Sequence, residues 1–233
     1  MSHLLTDYRL LHNHIPRTGG TWVTEALRIL EVTVSMKFQF RRNDKNRLPL
    51  KHPLLTQYSR KDLGHWDTSF SFVRHPVKYY ESVWAYLYDI GYVNRARFIK
   101  IFSWHPFTEV CQNWDDDFNT WAEKMLEGHP GWVSHLFEMY VGPEGGEFCE
   151  YIGRTERLVD DFCEIMADYD LYDDRIRQLE KQNVSKVKRV WDESLKFAVA
   201  GSEHIVIGRF YGDNFNVLRY ISNIGDRKSM LMK

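Results

Sequence analysis

The chain has 233 residues, of which 43% are apolar, 15% aromatic and 27% charged, a balance that excludes intrinsic disorder and low-complexity architecture and supplies a sizeable core. Lys and Arg number 31 against 32 Asp and Glu, a formal net charge of −1, so no global field favours nucleic acid or an anionic membrane and any anion site has to be local. Three cysteines, Cys111, Cys149 and Cys163, form no CxxC pair and leave one over, which fits a reducing cytoplasm better than a disulfide scaffold. No run of about 18 apolar residues occurs, so a chain without a membrane span is expected.

Residues 9–15 (RLLHNHI) read as a short strand, residues 16–20 (PRTGG) break the pattern, and residues 21–31 have helical spacing at Trp22, Ala26, Ile29 and Leu30. Residues 31–40, rich in β-branched and aromatic side chains, predict a second strand, and residues 41–51 are basic and irregular. Residues 70–73 (FSFV) predict another strand, ending at Arg74 and His75, after which Pro76 suits the first turn of a helix. That helix is expected to run to about Ile90 with Val77, Tyr80, Val83, Trp84, Leu87 and Tyr88 on its apolar side. Residues 91–147 are aromatic-rich and interrupted by Pro and Gly, which predicts short helices; residues 151–153 and 204–208 (HIVIG) predict further strands. With no repeat and no Ser/Gly linker, the alternation predicts one α/β domain over residues 1–233, a mostly parallel central sheet flanked by helices.

Two segments carry chemistry. In Pro16-Arg17-Thr18-Gly19-Gly20-Thr21-Trp22, adjacent glycines between a strand and a helix let the backbone approach a ligand closely, and the exposed N–H groups of loop and helix start make an anion nest. Arg17 adds a fixed positive fork, and Thr18 and Thr21 add hydroxyl donors. No Lys-Ser/Thr pair follows the glycines, so this is not the nucleoside-triphosphatase loop GxxxxGK[ST]. In the second segment, Arg74 ends a strand and Ser82 stands eight residues on along the following helix. Ligands of open α/β sheets sit at the carboxyl ends of strands, where both side chains could address one phosphate.

The ordered pair, PRTGGTW and then FVRHP-x5-S, resembles the two cofactor-binding motifs of sulfotransferases that use 3′-phosphoadenosine-5′-phosphosulfate (PAPS). The first looks like their P-loop-like 5′-phosphosulfate loop, commonly PK[ST]G[GT]T, and the second like their 3′-phosphate motif. A third patch, Gly153-Arg154-Thr155-Glu156-Arg157-Leu158 with Asp161, is similar to a segment near the family's nucleotide pocket. The resemblance implies that Arg17, Thr18, Gly19, Gly20, Thr21 and Trp22 hold the 5′ end, with Trp22 in reach of adenine. It implies that Arg74 and Ser82 hold the 3′-phosphate, and that Thr155 lines the nucleotide. Residues 91–147 become the acceptor-side helical segment. The implied activity is transfer of a sulfuryl group to an acceptor hydroxyl, on a carbohydrate or glycoconjugate rather than a small phenol.

Arg17 stands where the family often has Lys. A guanidinium does not readily give up a proton, so its expected role is charge stabilisation on the leaving phosphate, not general acid catalysis. Transfer to a hydroxyl also calls for a base. By position in the family His52 is the expected base, ahead of His65 and His14; Glu109 is a carboxylate alternative. His12 and His14 read as scaffold histidines, no metal-ligand spacing occurs, and Asp115, Asp116 and Asp117 read as a solvated loop or helix start. Trp104, Phe107, Trp114, Trp121 and Trp132 read mostly as core rather than as a sugar platform. The competing readings are an ATP-dependent phosphotransferase, which should show Mg²⁺ dependence, and a non-catalytic nucleotide-binding protein.

Overall fold

The computed structural model describes residues 2–35, 66–101, 108–142, 149–180, 187 and 189–212, with backbone alone at residues 35, 92–101 and 109. In chain order the described elements are β1 (His3–Leu5), β2 (Leu10–His12), α1 (Gly20–Ile29), β3 (Val34–Ser35), β4 (Thr68–Val73), α2 (Pro76–Ile101), α3 (Thr108–Gln112), α4 (Phe118–Gly128), α5 (Trp132–Val141), β5 (Tyr151–Arg154), α6 (Leu158–Ala167), α7 (Glu193–Ser202) and α8 (His204–Tyr211). Short 3-10 turns lie at Thr6–Tyr8, Thr155–Arg157 and Asp174–Gln178. Backbone contacts divide the chain into two compact units, one of residues 1–74, 137–182 and 213–233, the other of residues 75–136 and 183–212.

The first unit holds a five-stranded sheet in the order β3-β1-β2-β4-β5. β1 pairs antiparallel with both β2 and β3, whereas β2–β4 and β4–β5 are parallel. The sheet among the described residues is therefore mixed, not mostly parallel, because the unpredicted β1 enters as a hairpin partner of β2. Helices α1 and α6 cover the face bearing Leu5, Leu10, Phe70, Phe72 and Tyr151, to which they contribute Trp22, Val23, Ala26, Leu27, Phe162, Ile165 and Met166. The helical spacing predicted from Trp22 onward is the stripe α1 buries there.

The second unit is helical. α2 starts at the predicted Pro76, and Gly91 (φ +72°, ψ 171°) breaks it at the predicted end. Val77, Tyr80, Val83, Trp84 and Leu87 are buried as expected, but Tyr88 is 46% exposed, its ring lying against Trp84. Trp121 and Trp132 are core, and Tyr80 packs against both. Asp117 caps α4, its Oδ1 accepting the Thr120 N–H at 2.8 Å, the helix-start role read from the sequence.

Residues 204–208 are helical, not a strand. Their apolar run is too short for alternation to separate strand from helix, and Val206 and Phe210, one helical turn apart, are the buried pair while Ile205 is 48% exposed. The strand expected over residues 31–40 is described only at Val34–Ser35, and residues 36–40 lie outside the described residues. No helix among the described residues is long and apolar enough to cross a membrane.

Candidate functional site

Residues 13–19 join β2 to α1, and their start is pinned on three sides. The Asn13 N–H donates to the Phe70 carbonyl at 2.8 Å, the Ser71 hydroxyl donates to the Asn13 carbonyl at 2.7 Å, and Asn13 Nδ2 donates to the Tyr140 carbonyl at 2.8 Å. Downstream, Thr18 is buried and its hydroxyl donates to the Ile15 carbonyl at 2.8 Å. Its proton thus closes the loop on itself, while Thr21 is the exposed hydroxyl.

Two loop residues adopt left-handed backbone, Arg17 (φ +67°) and Gly19 (φ +90°). Such a conformation at a non-glycine residue is uncommon and persists only where its surroundings impose it. Gly19 caps α1 without a side-chain hydrogen bond, and the first N–H groups of a helix have no acceptor within it. A half-buried guanidinium and the dipole of α1 therefore converge at one loop.

The two glycines are required for different reasons. A Cβ on Gly19 would meet Leu158 Cδ2 at 2.6 Å in addition to the left-handed strain, and a Cβ on Gly20 would fall inside the His14 imidazole. Leu158 begins α6, so the third sequence patch touches the first. It is also tied to the second, because Thr155 Oγ1 donates to the Val73 carbonyl at 2.9 Å, immediately before Arg74. The patch is held by Asp161, whose Oδ2 accepts the Arg154 N–H at 2.7 Å and whose Oδ1 lies 3.4 Å from Arg157 Nε. Burial pushes this carboxyl up, against the Arg154 N–H and the two guanidiniums that favour its charge. Gly153 leaves room for the Phe72 ring and the Asp161 Cβ.

Parallel pairing of β2, β4 and β5 places their carboxyl ends at one edge of the sheet. Arg17, Thr18, Gly19, Gly20, Thr21, Arg74 and Thr155 all belong to this edge, with Arg17, Arg74 and Thr155 half-buried. Trp22 does not face it. It is 3% exposed and packs edge-on against Phe162 in the core between α1 and α6, which corrects its expected place beside adenine. Ser82 sits on the second turn of α2, partly exposed, in the other unit. His52, His65 and the basic run at residues 41–51 lie outside the described residues, and of Glu109 only the backbone is described.

Sequence reasoning missed Asn13 and Ser71, the anchors of the loop, and His3 on β1. Three imidazoles, His3, His12 and His14, are buried behind the loop, yet no group of three or more His, Cys, Asp or Glu among the described residues is arranged to hold a metal ion. No family model, curated protein or solved structure matches the chain. The described edge brings together two arginines, threonine hydroxyls and the start of α1.

Proposed function

We propose that the chain is a sulfotransferase that binds PAPS with the P-loop-like segment at residues 16–21 and with Arg74, and passes the sulfuryl group to a carbohydrate hydroxyl. The observation that carries this reading is the loop itself: left-handed Arg17 and Gly19 lead into an α1 that lacks a side-chain cap, on the edge that also bears Arg74 and Thr155. Order and spacing of the motifs supply the rest, including the assignment of Ser82 with Arg74 to the 3′-phosphate.

In the reaction the acceptor oxygen attacks sulfur in line while the bond from sulfur to the 5′-phosphate oxygen breaks. Arg17 stabilises the charge that collects on that oxygen, and His52 takes the acceptor proton. The reaction as drawn uses no metal. The cysteines described are free and buried, in keeping with a cytoplasmic setting.

The test is thermal stabilisation by 3′-phosphoadenosine-5′-phosphate, compared with AMP in EDTA and with ATP–Mg²⁺. A ligand at 100 times its Kd stabilises by about 2.7 kcal/mol, so a selective shift with the bisphosphate is expected. Arg74→Ala should weaken the bisphosphate far more than AMP, and His52→Ala should leave binding intact and stop acceptor-dependent release of the bisphosphate. No shift, or a shift with ATP–Mg²⁺ alone, would transfer the reading to a phosphotransferase. Binding without turnover on any acceptor would leave a nucleotide-binding protein.

A further inference from the structure

Behind the glycine loop runs a chain of buried hydrogen bonds whose direction can be worked out. Thr24 Oγ1 lies 2.8 Å from the Gly20 carbonyl, which can only accept, so the hydroxyl proton points there. His3 Nε2, 3.2 Å from the same hydroxyl oxygen, must then be the donor. A neutral His3 with its proton on Nε2 has a bare Nδ1, and His12 Nδ1 is 3.0 Å from it. His12 therefore donates from Nδ1. The sequence His12 to His3 to Thr24 to Gly20 fixes both tautomers and ends on the first residue of α1, where the His14 ring fills the space a Cβ would take.

We infer that His3, acting through Thr24, is a positioning residue for the glycine loop, and that it holds the loop only while the facing Nδ1 atoms of His3 and His12 share a single proton. The inference deepens the proposed function, because this is the loop assigned to the phosphosulfate. Between the two Nδ1 atoms there is room for one proton. The pair can accept one further proton and keep that bond; a second sets two N–H groups face to face and breaks it. The surroundings oppose that second proton. His12 on β2 stacks on His3, with His14 of the loop packed against His12; Arg28 of α1 and the N-terminal ammonium add positive charge, and Arg28 is itself paired with Glu25 at 2.6 Å. Burial and those charges hold His3 down at about 4. When the pair does open, repulsion between the facing N–H groups pushes the His3 ring away, its Nε2–H is drawn off Thr24 Oγ1, and the first turn of α1 loses the tie that runs from β1 through Thr24 to the Gly20 carbonyl.

The experiment needs no nucleotide, so its outcome is independent of whether the bisphosphate binds. Imidazole ¹⁵N shifts of the intact chain at pH 7 should show His3 protonated on Nε2 and His12 on Nδ1. Amide exchange of Gly20 to Val23, corrected for intrinsic rate and compared with Phe70 and Phe72, should speed up as pH falls from 6.5 toward about 4, by about tenfold for each pH unit. His3→Gln keeps a donor toward Thr24 but cannot titrate, so the loop should stay protected with a flat profile. Thr24→Val cuts the chain without touching an imidazole, and exchange at the loop should be faster at every pH. Loop amides that follow Phe70 and Phe72 throughout, or His3 carrying its proton on Nδ1 at pH 7, would overturn the inference even if His3→Gln fails to fold.

Discussion

Gly20 shows how one residue can be fixed by something other than its own backbone. Its φ is not in the left-handed region, so alanine is conformationally acceptable there, yet the His14 ring occupies the space a methyl group would need. Gly20→Ala should therefore cost about 1–3 kcal/mol by overpacking, measured by urea denaturation. His14→Ala in the same chain should recover most of that cost, a coupling that a double-mutant cycle reads directly. Gly19→Ala should behave differently: besides the contact with Leu158 it carries the strain of the +90° φ, roughly 1–2 kcal/mol, and shortening Leu158 should not remove that part. The doublet was legible in the sequence as a place where backbone comes close to something. That a histidine is what comes close to Gly20 was not, because His14 reads from the sequence as scaffold and the contact needs β2 and α1 in place. Trp22 misleads for a related reason: its position in a motif suggests a ligand, while its helical spacing with Ala26 places it on the buried stripe.

At the level of elements, the second unit solves a capping problem at long range. α5 begins at Trp132, and its Val133 and Ser134 N–H groups donate to the Glu203 carboxylate at 2.9 and 2.7 Å, with the Ser134 hydroxyl adding a third bond at 2.7 Å. Glu203 is fully buried and lies 69 positions from Ser134. Burial pushes its carboxyl up while the three donors pull the other way. Glu203→Ala leaves those donors without an acceptor and should cost about 2–4 kcal/mol in a urea titration, while Glu203→Gln, which keeps one acceptor, should cost less. No local sequence signal marks this cap, since Glu203 follows the end of a different helix. Signals that are local fared better. Pro76 starts α2 and Gly91 breaks it where the sequence predicts, and the strands around residues 10–12, 70–73 and 151–153 are all present. β1 went unread because three residues, HLL, hold too little pattern to outvote chance, and its arrival is what makes the sheet mixed.

For the molecule as a whole, the buried His3 imidazole should shape the acid limb of stability. His3 is held at about 4 against an ordinary 6.5, so between those values the unfolded chain binds a proton that the folded chain refuses. Stability is then fully present above pH 6.5 and falls as pH drops, by about 3 kcal/mol in total from this group. Urea midpoints from pH 7 to pH 4 should show that decline in the natural chain and a shallower one in His3→Gln; equal slopes would mean that other groups govern acid unfolding. Composition made a packed chain with no global field legible, and motif order gave the candidate edge. Neither could reveal that Asn13, Ser71 and Leu158 are what hold that edge together, since each acts through a neighbour far away in sequence.

Those separations also dictate an order of assembly. His3 and His12 are 9 positions apart, Asn13 and Ser71 are 58 apart, and Ser69 and Glu150 are 81 apart. Closing longer loops costs more chain entropy, and non-local strand pairs are slow to form. The β1–β2 hairpin can therefore close early, whereas the glycine loop gains its anchor only when β4 docks, and its Leu158 wall only after the much longer excursion to β5 and α6. The candidate edge is thus among the last parts of the first unit to mature, and a chain caught part-way through folding would carry a formed hairpin with no ordered glycine loop beside it.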